Sequence, residues 1–228
     1  MSAKLYILEY HPDENGCPVH IAQEYEPEEW EWENQEPDPF QMQITRQYSS
    51  VVIDGDIRFV DFDFYGLDSR LVSSRFIDVC RTCAVRFRSV PFDIRFSDHS
   101  RPEKQYFIFL PADHLPILDA ERSVCEVELN VETGMPMMDR FFPDVPIYKK
   151  IEKFVVRDFA FPALFHSVEL DMLVCTDEFR QQAMNSGLRG LKLSHWTEIT
   201  STTLGLDGRS GVSIRTPSGC WMAKSDLN

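Results

Sequence analysis

Val72-Ser-Ser-Arg-Phe-Ile-Asp-Val-Cys-Arg-Thr-Cys-Ala-Val85 decides the fold class, because here two-residue alternation gives way to helical periodicity. Phe76, Val79, Cys80, Cys83 and Ala84 recur at the spacing that places them on one helical face, and Ser73 or Ser74 is a ready N-cap. A helix over 73–85 follows. On both sides the period returns to two. Val60, Phe62 and Phe64 alternate with Asp61 and Asp63, which predicts a strand over 57–64 whose aspartates face water. Val85 and Phe87, then Phe92, Ile94 and Phe96, alternate around Pro91 and predict strands broken by a bend, with a further strand over 105–110.

A similar passage stands 103 residues further on. Cys175-Thr-Asp-Glu-Phe179 with Ala183, Gly187, Leu188 and Arg189 lies over Val72-Ser-Ser-Arg-Phe76 with Cys80, Ala84, Val85 and Arg86. Thr176 is its N-cap candidate, Asp177 and Glu178 complement the helix dipole, and Gly187 is a left-handed stop. Val168, Leu170, Met172 and Val174 alternate ahead of it. Cys125, Val127, Leu129 and Val131 alternate likewise until Gly134-Met-Pro136, and the first strand candidate is 5–8. Runs of strands interrupted by two principal helices predict an α+β fold with a mostly antiparallel sheet, and strand–helix–strand is a candidate duplicated unit.

With 228 residues, 43% hydrophobic and 12% aromatic, the chain can bury a substantial core. Six scattered cysteines read as free thiols rather than a disulfide scaffold. No apolar run is long enough for a membrane span and the first ten residues do not read as a secretory signal, so the expected location is the cytoplasm. A net charge of −14 disfavours nucleic acid and favours a basic protein partner. Residues 1–45 hold eleven acids against Lys4 alone and so carry −10 of that charge. Composition thus divides the chain into an acidic segment 1–45, a domain 46–200 and a Ser/Thr/Gly-rich tail 201–228. The like charge over 24–38 predicts a loop or a poorly ordered arm.

Within that loop, Trp30 and Trp32 stand among Glu24, Glu26, Glu28, Glu29, Glu31 and Glu33, a combination of large anchors and steering charge expected of a partner-binding surface. The alternative is a solvated loop whose tryptophans fold back onto the core. Cys80-Arg-Thr-Cys83 has the spacing of a metal or redox pair, but both thiols fall on the apolar helix face, where they read as core. Asp54, Asp56, Asp61 and Asp63 lack a calcium-loop pattern, and the histidines show no paired helical spacing, so no metal or cofactor is expected. Motifs for a phosphate loop, a dinucleotide site or a nucleophile elbow are absent, and a non-enzymatic protein is the expectation. Its rival is a small hydrolase using Asp119, Glu121 and Arg122, although a capped turn with an ion pair explains those three residues more simply.

Three passages between Leu71 and Trp196 belong together: Leu71-Val-Ser-Ser-Arg-Phe76; Tyr106-Phe-Ile-Phe-Leu110 with Leu118-Asp-Ala-Glu-Arg-Ser123; and Leu173-Val-Cys-Thr-Asp-Glu-Phe179 with Gly187-Leu-Arg-Gly-Leu191. In this order they resemble a family of immunity proteins from bacterial polymorphic-toxin systems. The first departs from the family pattern in lacking a glycine after its helix. The resemblance implies a cytoplasmic antidote that binds a cognate toxin and holds it inactive, and the acidic charge suits a basic toxin such as a nuclease. A homodimer is compatible with this reading, and an adaptor that loads a toxin for secretion is the other binding role.

Overall fold

In the computed structural model, which describes residues 4–13, 15–32, 37–66 and 70–195, both passages with helical periodicity are helices between strands, although only Ser73 makes a side-chain cap bond. The elements run β1 (Leu5–Tyr10), β2 (Gln23–Glu26), β3 (Tyr48–Val52), β4 (Phe64–Tyr65), β5 (Leu71–Ser73), α1 (Ser74–Thr82), β6 (Phe87–Arg95), β7 (Tyr106–Pro111) and β8 (His114–Leu115). They continue with β9 (Val124–Val127), β10 (Tyr148–Lys153), β11 (Leu164–Ser167), β12 (Met172–Thr176), α2 (Asp177–Asn185) and β13 (Leu191–His195). This is an α+β fold with mixed, mostly antiparallel sheets.

The chain forms two compact units. The first lies within Met1–Leu115, Ala160–His166 and Met172–Trp196, and the second takes in Pro116–Phe159 and Ser167–Asp171. This division does not follow the composition boundary at residue 45, because β1 and β2 are built into the sheets of the first unit.

Two sheets make up the first unit, in the orders β2-β3-β6-β7-β5-β4 and β13-β1-β12-β11-β8. In the first, β5 and β6 flank β7 and run antiparallel to it, so the β5-α1-β6 crossover spans an inserted strand. In the second, β12 and β13 flank antiparallel β1 in the same way. The strand–helix–strand likeness is therefore one of topology as well as sequence. Phe76 and Phe179, equivalent in the two passages, meet edge to face at 5.7 Å.

Alternation along β5 and β7 divides the first sheet between two cores. Val72, Phe107 and Phe109 point to a cluster that holds Phe76, Cys80, Phe179 and Ala183 from the helices and Leu8, Leu173 and Cys175 from the second sheet. Leu71, Tyr106 and Ile108 point to the other side, where Cys17, Ile21, Val60 and Phe62 cover the sheet. Each fully buried phenylalanine adds roughly 1.5–3 kcal/mol of transfer free energy. Cys80 and Cys83 lie in the first cluster, where burial pushes both thiols up, the sense opposite to a reactive thiolate.

Several expectations are corrected. Of 57–64 only Phe64 lies in a strand, as the first residue of β4, and Asp63 is buried rather than wet. The amides of Asp61 and Asp63 donate to the carbonyls of Gly16 and Arg189, so these loops replace neighbouring strands. Part of the acidic segment, Gln23–Glu26, is strand β2, its charge tolerated because Glu24 and Glu26 both point outward. Pro91 does not break β6. It sits one residue before the β3 ladder begins at Tyr48↔Phe92, a position that spares a missing N–H. The alternation from Val168 hides a turn at Asp171, which has φ 51°, and β12 begins only at Met172. Strand β9 stops at Val127, leaving Leu129 and Val131 exposed. The tail 201–228 lies outside the described residues.

Candidate protein-binding surface

Strand β2 is the edge of its sheet, and its two faces separate the features that sequence grouped together. Tyr25 turns inward, 5.3 Å from Trp30 and 6.2 Å from Phe92 between ring centres. By strand alternation Glu24 and Glu26 point to the opposite face and are exposed. Glu28 and Glu29, in the bend after β2, are exposed too. None of these four carboxylates makes an ion pair among the described residues.

The indoles belong to the core side. Trp32 packs 4.6 Å from Tyr48 and 5.0 Å from Trp30, and both tryptophans are half-buried against the Tyr48 and Phe92 cluster. They are thus the fold-back case rather than free anchors. Glu31 between them is also committed. Its carboxylate accepts from the amides of Thr45 and Arg46 and the hydroxyls of Thr45 and Tyr48, at 2.9–3.2 Å. Burial works against its charge, but those two amides and then the hydroxyls outweigh it and hold the carboxyl down at about 2. Glu33 lies outside the described residues.

A second cluster was hidden from sequence by the strand misreading of 57–64. The buried Asp63 carboxylate accepts from Ser73 Oγ at 2.6 Å and Lys104 Nζ at 2.9 Å on one oxygen, and from the Arg189 amide at 2.7 Å and Arg75 at 3.4 Å on the other. Four donors fill the lone pairs of a carboxylate, so nothing is left for a substrate or a metal. Asp61 pairs with Lys104 and Arg189, and Arg189 reaches on to Asp13. Burial opposes the charge of Asp61 and of Asp13, yet Lys104 and Arg189 hold the first below the usual carboxylate range, and Arg189 with the Asn15 amide does so for the second.

Two glycines permit this close approach. A Cβ on Gly16 would stand 2.9 Å from the Asp61 nitrogen, and one on Gly190 would stand 2.8 Å from the Phe64 carbonyl oxygen. Their positive φ values, 97° and 73°, add backbone strain for any other residue.

Asp119, Glu121 and Arg122 form a capped turn. One Asp119 oxygen accepts from the amides of Glu121 and Arg122 at 3.1 Å, and the other pairs with Arg122 Nε at 2.6 Å. The guanidinium holds the Asp119 carboxyl below its ordinary value, the wrong direction for a general acid. Among the described residues no group of three or more His, Cys, Asp or Glu is placed to hold a metal ion, and no helix is long and apolar enough to cross a membrane. Neither a family model nor a curated protein matches the chain. What the first unit offers a partner is thus a set of carboxylates without an ion pair among the described residues, on edge strand β2 and the bend after it, with aromatic packing behind the strand.

Proposed function

We propose that this chain is an immunity protein that binds a cognate bacterial toxin in the cytoplasm and neutralises it by occluding a basic surface, without catalysis. The observation that carries this reading is the set Glu24, Glu26, Glu28 and Glu29, exposed and unpaired among the described residues. Its support from sequence is the likeness of the 71–191 passages to immunity proteins and the net charge of −14. Carboxylates of this kind speed encounter with a cationic protein and can stand where substrate phosphates would bind on a nuclease.

The test is co-expression with the protein encoded by the adjacent gene, with growth and complex formation as readouts. Growth protection and a stable complex are expected. Glu24, Glu26, Glu28 and Glu29 replaced together by Gln should slow association, most at low salt, where the screening length grows from about 10 Å at 0.1 M to about 30 Å at 0.01 M. No protection and no complex overturns the proposal. A complex without protection would assign the chain to toxin loading instead.

A further inference from the structure

The second unit carries a ribbon that is ordered by backbone bonds and has almost no buried side chain. Glu128, Met137 and Ile147 close a ring of three amide-to-carbonyl bonds of 2.8 Å, Glu128 donating to Ile147, Ile147 to Met137 and Met137 to Glu128. Its two turns are capped by side chains. Asn130 Oδ1 accepts from the amides of Glu132 and Thr133, and Asp139 Oδ1 from those of Phe141 and Phe142, at 2.8–3.0 Å. With the backbones bonded to one another at the centre, the side chains turn outward. Residues 128–138 are exposed without interruption, and Val145 is the one buried residue of 128–147.

Exposed side chains of such a ribbon should be mostly polar, and here large apolar ones stand interleaved with the polar ones. Leu129, Val131, Met135, Met137, Met138 and Phe141 are between 37% and 100% exposed. Large apolar side chains left this exposed on a hydrogen-bonded element mark a segment that a partner covers, and a small ribbon without a buried core is poorly stable on its own. Charge selects the partner. Between residues 128 and 147 stand Glu128, Glu132, Asp139 and Asp144 against Arg140 alone. A second copy of the ribbon would bring the same excess of acids and so like charge. A cationic surface with apolar side chains would meet complementary charge, and three thioethers with free rotation adapt to its shape.

We infer that this ribbon is the apolar anchor for the same cationic protein partner, with Met135, Met138 and Phe141 entering its surface. The inference rests on the proposed toxin-binding role and places the tight contact in the second unit rather than at Trp30 and Trp32.

The experiment measures binding of the adjacent gene's protein to the full chain and to a Met135→Ser/Met138→Ser/Phe141→Ser variant checked for native circular dichroism. Exposed positions should leave the fold intact. Dissociation on the order of 30-fold faster in the variant is expected, the effect of losing a central hot spot, with association nearly unchanged. Wild-type dissociation in the variant overturns the anchor and leaves the toxin-binding role standing. No complex with the unaltered chain overturns both. If the unaltered chain alone sediments as a dimer and the variant as a monomer, the ribbon's occupant is a second copy and the cationic partner is refuted.

Discussion

Helices α1 and α2 start from the same backbone geometry, with Ser73 at φ −80°, ψ 166° and Thr176 at φ −84°, ψ 172°, but they are held by different means. Ser73 accepts from the Phe76 amide and donates to buried Asp63, whereas the Thr176 hydroxyl makes no cap bond. Helix α2 relies on Asp177 and Glu178 in its first turn, and the carbonyls just past its end, on Ser186 and Gly187, accept from Arg75 of α1. Both helices end in a left-handed residue, Ala84 at φ 52° and Gly187 at φ 59°. One pattern of strand, cap, helix and strand thus appears once with a buried polar anchor and once with surface electrostatics. The anchored copy also helps to terminate the other.

The largest break in this comparison should come from Asp63→Ala. It removes the acceptor shared by Ser73, Arg75 and Lys104 of one half and Arg189 of the other, and leaves Lys104, 14% exposed at its side chain, with Asp61 as its carboxylate partner. A loss on the order of 3–5 kcal/mol is expected in urea unfolding. A loss below about 1 kcal/mol would show that the halves do not depend on this carboxylate.

Next come the caps themselves. Ser73→Ala should cost about 1–2 kcal/mol, since it deletes two hydrogen bonds at a buried site. Thr176→Val should leave stability unchanged or raise it by up to about 1 kcal/mol, because it preserves shape and removes a hydroxyl that is buried without a hydrogen bond among the described residues. Equal costs at the two positions would mean that the difference in capping is not energetic.

The helix ends should respond with opposite signs. Ala84→Gly relieves a left-handed alanine at an exposed position and should raise the thermal midpoint, by up to about 1 kcal/mol in stability. Gly187→Ala imposes that strain on α2 and should lower stability by about as much.

Acid should separate the capped turns from the rest most gently. Glu31, Asp13 and Asp61 have carboxyls depressed in the folded chain, so the unfolded chain takes up their protons first. Their stabilisation is complete above the ordinary carboxylate values near 4–4.5 and fades as pH falls towards about 2, the value for Glu31. Glu31→Gln should flatten the urea midpoint against pH in that window. An unchanged slope would show that the Glu31 turn is not linked to folding.

Helix α1 and the topology class were legible because periodicity and caps are local signals, and the likeness of the α2 passage came from the same cues. Position 63 was not legible. Alternation of Phe62 and Phe64 with Asp61 and Asp63 describes a strand between water and core, but loops ending in Gly16 and Gly190 take the places of the neighbouring strands and seal the aspartates in. The acids and indoles of residues 24–32 stand together in the sequence and apart in the fold, since strand alternation turns Glu24 and Glu26 away from the side on which Tyr25 meets Trp30. The ribbon at 128–147 gave only a short alternation, whose apolar phase normally points inward and here does not. Its order comes from turn caps rather than from a buried face.

The inserted strand of each half has a consequence for synthesis of the chain. Strand β7 follows β6 after ten residues, so the α1 half holds its central strand as soon as residue 111 has left the ribosome. Strand β1 is the reverse case: its neighbours are residues 174–176 and 191–195, so its backbone waits through most of translation with Leu5, Ile7 and Leu8 uncovered. Such long-range closure slows folding and leaves a hydrophobic edge open to wrong pairing meanwhile. Refolding should therefore show early protection from hydrogen exchange at β5–β7 and late protection at β1. A nascent chain arrested before residue 172 should be recognised by chaperones chiefly through its first ten residues.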